Sequence, residues 1–246
     1  MARSRVMPRS RRSYAYLISC RLGDAMAAHV VMVWACAYAT EMGGGRQMTR
    51  ARMVRANQHQ CNIADIADRL GDLYDEIDQG RGTTWDHFKQ EMPEMYGLGC
   101  VVDHSRNSAF RRALGSRRIT PDLVQVTNND RLDDWSPNLL DTLPGRIYLI
   151  NDLSLELGEQ RVKISPEGDI PVQDIAEALE GVGRKSPLDG MDPRTIVVET
   201  DYRDDLALCT ALGVFWSHYR APSSENWELF QGEGGNLLLP YSGAVI

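Results

Sequence analysis

Residues 146–219 constrain the fold of this chain more than any other stretch, because they read as strand, strand, helix, strand and buried helix in close succession. Ile147, Tyr148, Leu149 and Ile150 form a continuous apolar run suited to a buried strand. Leu153, Leu155 and Leu157 then alternate with polar residues, as do Val162 and Ile164 after Gly158. Pro166, Glu167, Gly168 and Asp169 predict a turn, since proline fixes φ and glycine permits positive φ. A helix is expected to begin near Pro171, where a missing N–H costs nothing, and to bury Ile175, Ala178, Leu179 and Val182. After a loop over residues 181–193, Thr195, Ile196, Val197 and Val198 read as a central strand. Thr200 or Asp201 can cap the last helix, with Asp204 and Asp205 favourably placed in its first turn. Through Trp216 that helix is apolar nearly all round, so it needs cover on more than one side.

The N-terminus raises the question of a membrane. Residues 1–23 hold six arginines and no acid, and the mostly apolar run 25–39 follows Asp24. Basic region, apolar region and the small-residue site Ala37-Tyr38-Ala39 are the parts of a secretory signal, and Ser10-Arg11-Arg12-Ser13-Tyr14 resembles a twin-arginine export motif. Against this, Arg21 and Asp24 interrupt the approach, and the run spans about 22 Å of helix at roughly 1.5 Å per residue. A bilayer core needs about 20 apolar residues. Export signal, membrane anchor and ordinary core helix stay open.

Residues 51–80 read as helical, with Ile63, Ile66, Leu70, Leu73 and Ile77 on one stripe. The opposite face carries acids, of which Asp65, Asp68 and Asp72 lie close enough to hold a divalent ion, although no second acidic motif completes a site. Further on, Cys100, Asp103 and His104 bring a nucleophile, an acid and a base close in sequence. Arg111, Arg112, Arg117 and Arg118 form a basic cluster that can meet phosphate or pair with the acidic helix. The five cysteines are dispersed, without zinc or disulfide spacing. A net charge of -7 disfavours nonspecific nucleic-acid binding by the chain as a whole.

Val162, Lys163 and Ile164, the run from Gly168 to Val172, the apolar face from Ile175 to Leu179, and Thr195 to Val198 running into Asp201 together resemble the periplasmic domain of the ExbD/TolR family. The resemblance covers about 75 of the 246 residues and implies strand, turn, helix, strand and second helix in that order. It also implies an N-terminal membrane helix bearing an aspartate, a role open to Asp24, and a function in coupling ion flow to work across an envelope. The rival reading is an enzyme. Asp152, Glu199 and Asp201 follow expected strands, where open α/β sheets place ligands. No nucleotide-binding, GxSxG or HExxH motif occurs, so no cofactor is expected.

The sequence therefore predicts an α+β protein: a leader or anchor over 1–40, a mainly helical region over 41–143, and a small α/β domain over 144–246 with a β-β-α-β-α pattern and an extended tail. The leading function is a non-enzymatic binding or assembly module, envelope-associated, with a protein partner or a second copy docking on Val214, Phe215 and Trp216. The alternative is a hydrolase or metal-dependent enzyme using Cys100 and His104, or acids at strand ends.

Overall fold

The computed structural model describes residues 12–23, 28–40, 46–79, 96–103, 108–117, 121–127, 142–184 and 202–219. They open with strands: β1 (Arg12–Arg21), β2 (Ala28–Thr40) and β3 (Arg46–Gln60). There follow α1 (Ile63–Asp78), β4 (Tyr96–Asp103), α2 (Ser108–Ser116), β5 (Asp122–Thr127) and β6 (Thr142–Gly145). The chain continues through α3 (Arg146–Gly158), β7 (Val162–Glu167), α4 (Val172–Arg184) and α5 (Tyr202–Tyr219). The strands form one seven-stranded sheet in the order β6-β5-β4-β1-β2-β3-β7. β1, β2 and β3 are antiparallel neighbours, whereas β4 joins β1, β5 joins β4, β6 joins β5 and β7 joins β3 in parallel.

The expected helical N-terminal half is thus corrected to a mixed sheet with helices on both faces. β2 shows why. It sends Val30, Met32, Trp34 and Cys36 into one core and Val31, Val33 and Ala35 into the other. A central strand buried on both faces reads as an unbroken apolar run, the same signal that a short buried helix leaves. The membrane-anchor reading of 25–39 falls with it over the described residues, and none of the described helices is long and apolar enough to cross a bilayer.

The second correction is α3, where two strands were expected. Leu149, Ile150 and Leu153 are buried with Glu156, a helical spacing, while Leu155 stands 66% exposed. Alternating leucines at 153, 155 and 157 were a coincidence of composition. Without those strands the β-β-α-β-α order is absent, and the strand expected at 195–198 lies outside the described residues.

α3, α4 and α5 cover one face of the sheet, and α1 and α2 the other. The α5-side core gathers Leu17, Trp34 and Met53 with Leu149, Ile175 and Leu212, so it draws on residues from both sides of Pro144. α5 sits against β1 and β2 through Gly213, where a Cβ would overlap the Trp34 indole; that indole in turn donates from Nε1 to Ser19 Oγ at 3.0 Å. On the other face Asn62 caps α1 by accepting from Ala64 N and Asp65 N at 2.9 Å, and Ile66, Leu70, Tyr74 and Ile77 turn inward.

Candidate active site

β1 and β4 end side by side, Arg21 opposite Asp103 in the parallel register. β2 continues the sheet on one side of β1 and β4 on the other, so the strand order reverses at this pair. The crevice beyond the carboxyl ends at such a reversal is where open α/β sheets take their ligands. α5 delivers Asp205 in its first turn to the same point. The Arg21 guanidinium donates from Nη1 to Asp103 Oδ2 and from Nε to Asp205 Oδ1. Its partners lie 82 and 184 residues away along the chain.

The cluster is mostly withdrawn from water: side-chain exposure is 17% for Arg21, 7% for Asp103 and 16% for Asp205. Asp103 is also fixed by the backbone, its Oδ1 accepting from Val126 N at 3.2 Å. Burial pushes its carboxyl above the usual aspartate range, opposed by Arg21 and by the Val126 N–H. Burial alone would lower Arg21, but Asp103 and then Asp205 outweigh it, so the guanidinium is held charged. Among the described residues, two carboxylates face this one cation. Beside it, His29 pins the chain that leaves β1: its Nδ1 accepts from Gly23 N at 3.2 Å, which leaves Nε2–H to donate to Cys61 O at 2.9 Å.

The donor set does not fit a divalent ion as it stands. Both oxygens of Asp103 and Oδ1 of Asp205 are committed to N–H donors, and the guanidinium holds the bridging position between the two acids. Among the described residues no group of three or more His, Cys, Asp or Glu is arranged for a metal.

The candidates from the sequence fall elsewhere. Cys100 is buried in the α1-side core, whereas Asp103 follows Val101 toward the α5 side, so the two diverge. Burial, and secondarily Asp122, pushes the Cys100 thiol far above its ordinary range, which removes the thiolate a nucleophile needs. His104 lies outside the described residues. Asp68 and Asp72 both bind Arg117, at 3.0 and 3.1 Å, and Asp65 accepts from Asn62 Nδ2 at 2.8 Å. The acidic face and the basic segment therefore pair with each other. Arg112 is exposed; the Arg111 side chain and Arg118 lie outside the described residues. Asp152 sits on α3 and not at a strand end, and Glu199 and Asp201 are outside the described residues.

Val214, Phe215 and Trp216 are buried by the chain itself. Trp216 Nε1 donates to Asp122 Oδ2 at 3.1 Å, and the Phe215 ring meets Tyr148 edge-on at 6.2 Å. The docking surface expected on this helix is absent, and with it the support for an assembly module. Arg21 and Asp205 escaped notice as a site because each has a bland local role, a strand end and a helix first turn. Their one signal was a charge at the boundary of an apolar element.

No family model matches the chain, and no curated protein matches it. Among solved structures, the human cytomegalovirus terminase nuclease domain, soaked with manganese and bound to an inhibitor, is similar at 10% identity, with 84% of this chain and 85% of that one covered and a TM-score of 0.40. A structure of NurA bound to dAMP and manganese is similar at 13% identity over 84% of this chain and 54% of that one, with a TM-score of 0.19. Likeness at this level assigns no activity. The ExbD/TolR resemblance is corrected: no family model matches, and where it implies an N-terminal membrane helix the chain has β2, a central strand of the sheet.

Proposed function

We propose that the chain is a hydrolase acting on phosphodiesters, with Arg21, Asp103 and Asp205 as its working groups. One observation carries this reading: two carboxylates from distant parts of the chain converge, largely buried, on one guanidinium at the ends of the central parallel strands. Desolvating such charges costs several kcal/mol per ion, about what their attraction returns, so the cluster contributes little to stability compared with apolar packing. A functional demand is the simpler reason for its presence. Asp205, the more exposed acid, takes a proton from water as the water oxygen attacks phosphorus, and returns it to the leaving oxygen as the ester bond breaks. Arg21 has five N–H donors, of which two serve the aspartates, and the rest are suited to the phosphoryl oxygens on which charge accumulates. Asp103, anchored to Val126 N, is a positioning residue for Arg21.

The test is cleavage of end-labelled single-stranded DNA and RNA by the full chain, with chelator and separately with manganese or magnesium. Asp205→Asn is expected to lower the rate at least ~100-fold, the scale of a general base. Asp103→Asn should act through a lowered kcat and a displaced pH profile, with KM little changed. Wild-type cleavage by Asp205→Asn, or no cleavage of either substrate under any of these conditions, overturns the reading. Cleavage that strictly needs a divalent ion would remove Arg21 from its role as the cation.

A further inference from the structure

The α1-side face of β3 is unlike the rest of this acidic chain. Ala51 and Met53 enter the α5-side core, so Arg50 and Arg52, which alternate with them, stand on the opposite face. Their register partners Ala37 and Ala35 are small. Lys163 of β7 lies opposite Arg52, and Arg52 Nε donates to Ser165 Oγ at 3.2 Å. Farther along β3, a cleft of about 200 Å³ opens between the strand and α1, lined by Arg55, Asn57, His59, Arg69, Asp72 and Glu76 among others. Two of its acids are already engaged: Glu76 with Arg55 at 3.4 Å and Asp72 with Arg117 at 3.1 Å. Arg50, Arg69 and Lys163 are exposed and make no ion pair with these acids among the described residues. Arg69 Nη1 lies 3.4 Å from His59 Nδ1, and burial, reinforced by Arg69, lowers the His59 pKa, so His59 is neutral and offers Nε2–H.

We infer that this face and its cleft form a binding surface for the sugar–phosphate backbone of a single nucleic-acid strand. The inference names the binding surface of the proposed phosphodiester substrate and rests on that reading. Charge complementarity selects the occupant: Arg50, Arg52 and Arg55 span about 17 Å of β3 at roughly 3.3 Å per residue, Lys163 flanks them and Arg69 extends the row beside His59, an array that matches a polyanion. A cleft of about 200 Å³ is of a size for one sugar–phosphate strand. The cleft lining includes no Phe, Tyr or Trp, so recognition there is chiefly by phosphate. β3 also points the right way. It is antiparallel to β2, which is antiparallel to β1, so its His59 end lies at the same sheet end as Arg21 and Asp103, about 10 Å away across two strand spacings. The acid pair itself lies on the α5 side of the sheet, so a strand laid along this face reaches it by passing over that end of the sheet.

The experiment measures binding of fluorescein-labelled oligothymidylate to the full chain by anisotropy across a salt series, apart from any cleavage. Binding should weaken steeply with salt. The double variant Arg50→Glu/Lys163→Glu should lose at least tenfold in affinity, and its log–log salt slope should be shallower by about 0.7 for each phosphate contact removed. The neutral pair Arg50→Gln/Lys163→Gln should show a smaller loss in the same sense and guards against misfolding. Arg112→Glu, at an exposed position of α2, should bind like the wild type. Unchanged affinity and slope in both double variants, or tighter binding of duplex than of single strand, overturns the surface. If binding behaves as expected while Asp205→Asn cleaves like the wild type, the surface stands and the catalytic assignment falls.

Discussion

Two arginines in this protein each sit between two aspartates. Arg117 joins Asp68 and Asp72 on the outside of α1, with side-chain exposures of 37%, 57% and 73%. Arg21 joins Asp103 and Asp205 where β1, β4 and α5 meet, all three below 20%. The chemistry is the same and the surroundings are opposite. Water and salt already stabilise every charge around Arg117, so forming the pairs changes little. Around Arg21 the protein has replaced water, and each charge now depends on the others. Burial turns an interchangeable surface contact into a unit whose parts cannot be removed singly.

The sharpest way to break this contrast is to remove each arginine in turn. Arg21→Met should lower the unfolding free energy by about 3–5 kcal/mol, because it leaves two partly buried carboxylates without their cation. Arg117→Met should leave the urea midpoint unchanged within error. High salt should abolish any residual difference between Arg117→Met and wild type, since the Debye length falls to about 3 Å at 1 M. The Arg21→Met deficit should persist. Equal shifts in the two variants would erase the distinction.

A smaller effect tests how the buried cluster is held. Asp205 reaches Arg21 only because α5 is seated on the sheet, and the seat is Gly213 against Trp34 and Ser19. Gly213→Ala should cost about 1–3 kcal/mol through overpacking. It should also reduce any Asp205-dependent activity without touching the acid. The counterpart near the exposed cluster is Gly115 on α2, where an added Cβ meets nothing within 4 Å. Gly115→Ala should be neutral or slightly stabilising, as expected for glycine replaced within a helix. Thermal unfolding of the two variants side by side decides it.

The smallest effect is in the pH dependence. Burial raises the folded pKa of Asp103 above its unfolded value, so the folded state binds the extra proton. The contribution of this carboxyl to stability is full below the ordinary aspartate range and is lost as pH rises through the raised folded value. Asp103→Asn, uncharged in both states, should flatten the stability slope across that window. A gentler slope of the same sign should remain from Asp152, which burial also raises. A wild-type slope in Asp103→Asn would show that the Asp103 carboxyl is no source of it.

The exposed cluster was legible in the sequence and the buried one was not. The aspartates at 65, 68 and 72 repeat at helical spacing, and an arginine segment 45 residues on is an obvious partner for them. Nothing local sets Arg21 apart: it ends an apolar strand, and its partners come from another strand and from the last described helix. The helices α1 and α5 could be read from their side-chain patterns because a helix repeats its own buried face within a few residues. β2 and α3 could not. An apolar run of 10 to 13 residues serves a strand buried on both faces as well as a helix, and periodicity alone does not separate them.

What the sequence determined by itself was local: the apolar stripe of α1, though not its start, since residues 51–60 belong to β3; the span of α5; and the turn at Gly168, where φ is 126°. These depend on residues within a turn or two of one another. Tertiary structure alone decided the strand order, the cover over α5, the basic face of β3 and the meeting of Arg21 with Asp103 and Asp205. Each is a pairing between segments far apart in sequence. Its free energy comes from excluding water between them, and a side chain's neighbours in sequence carry no record of which distant surface will do so.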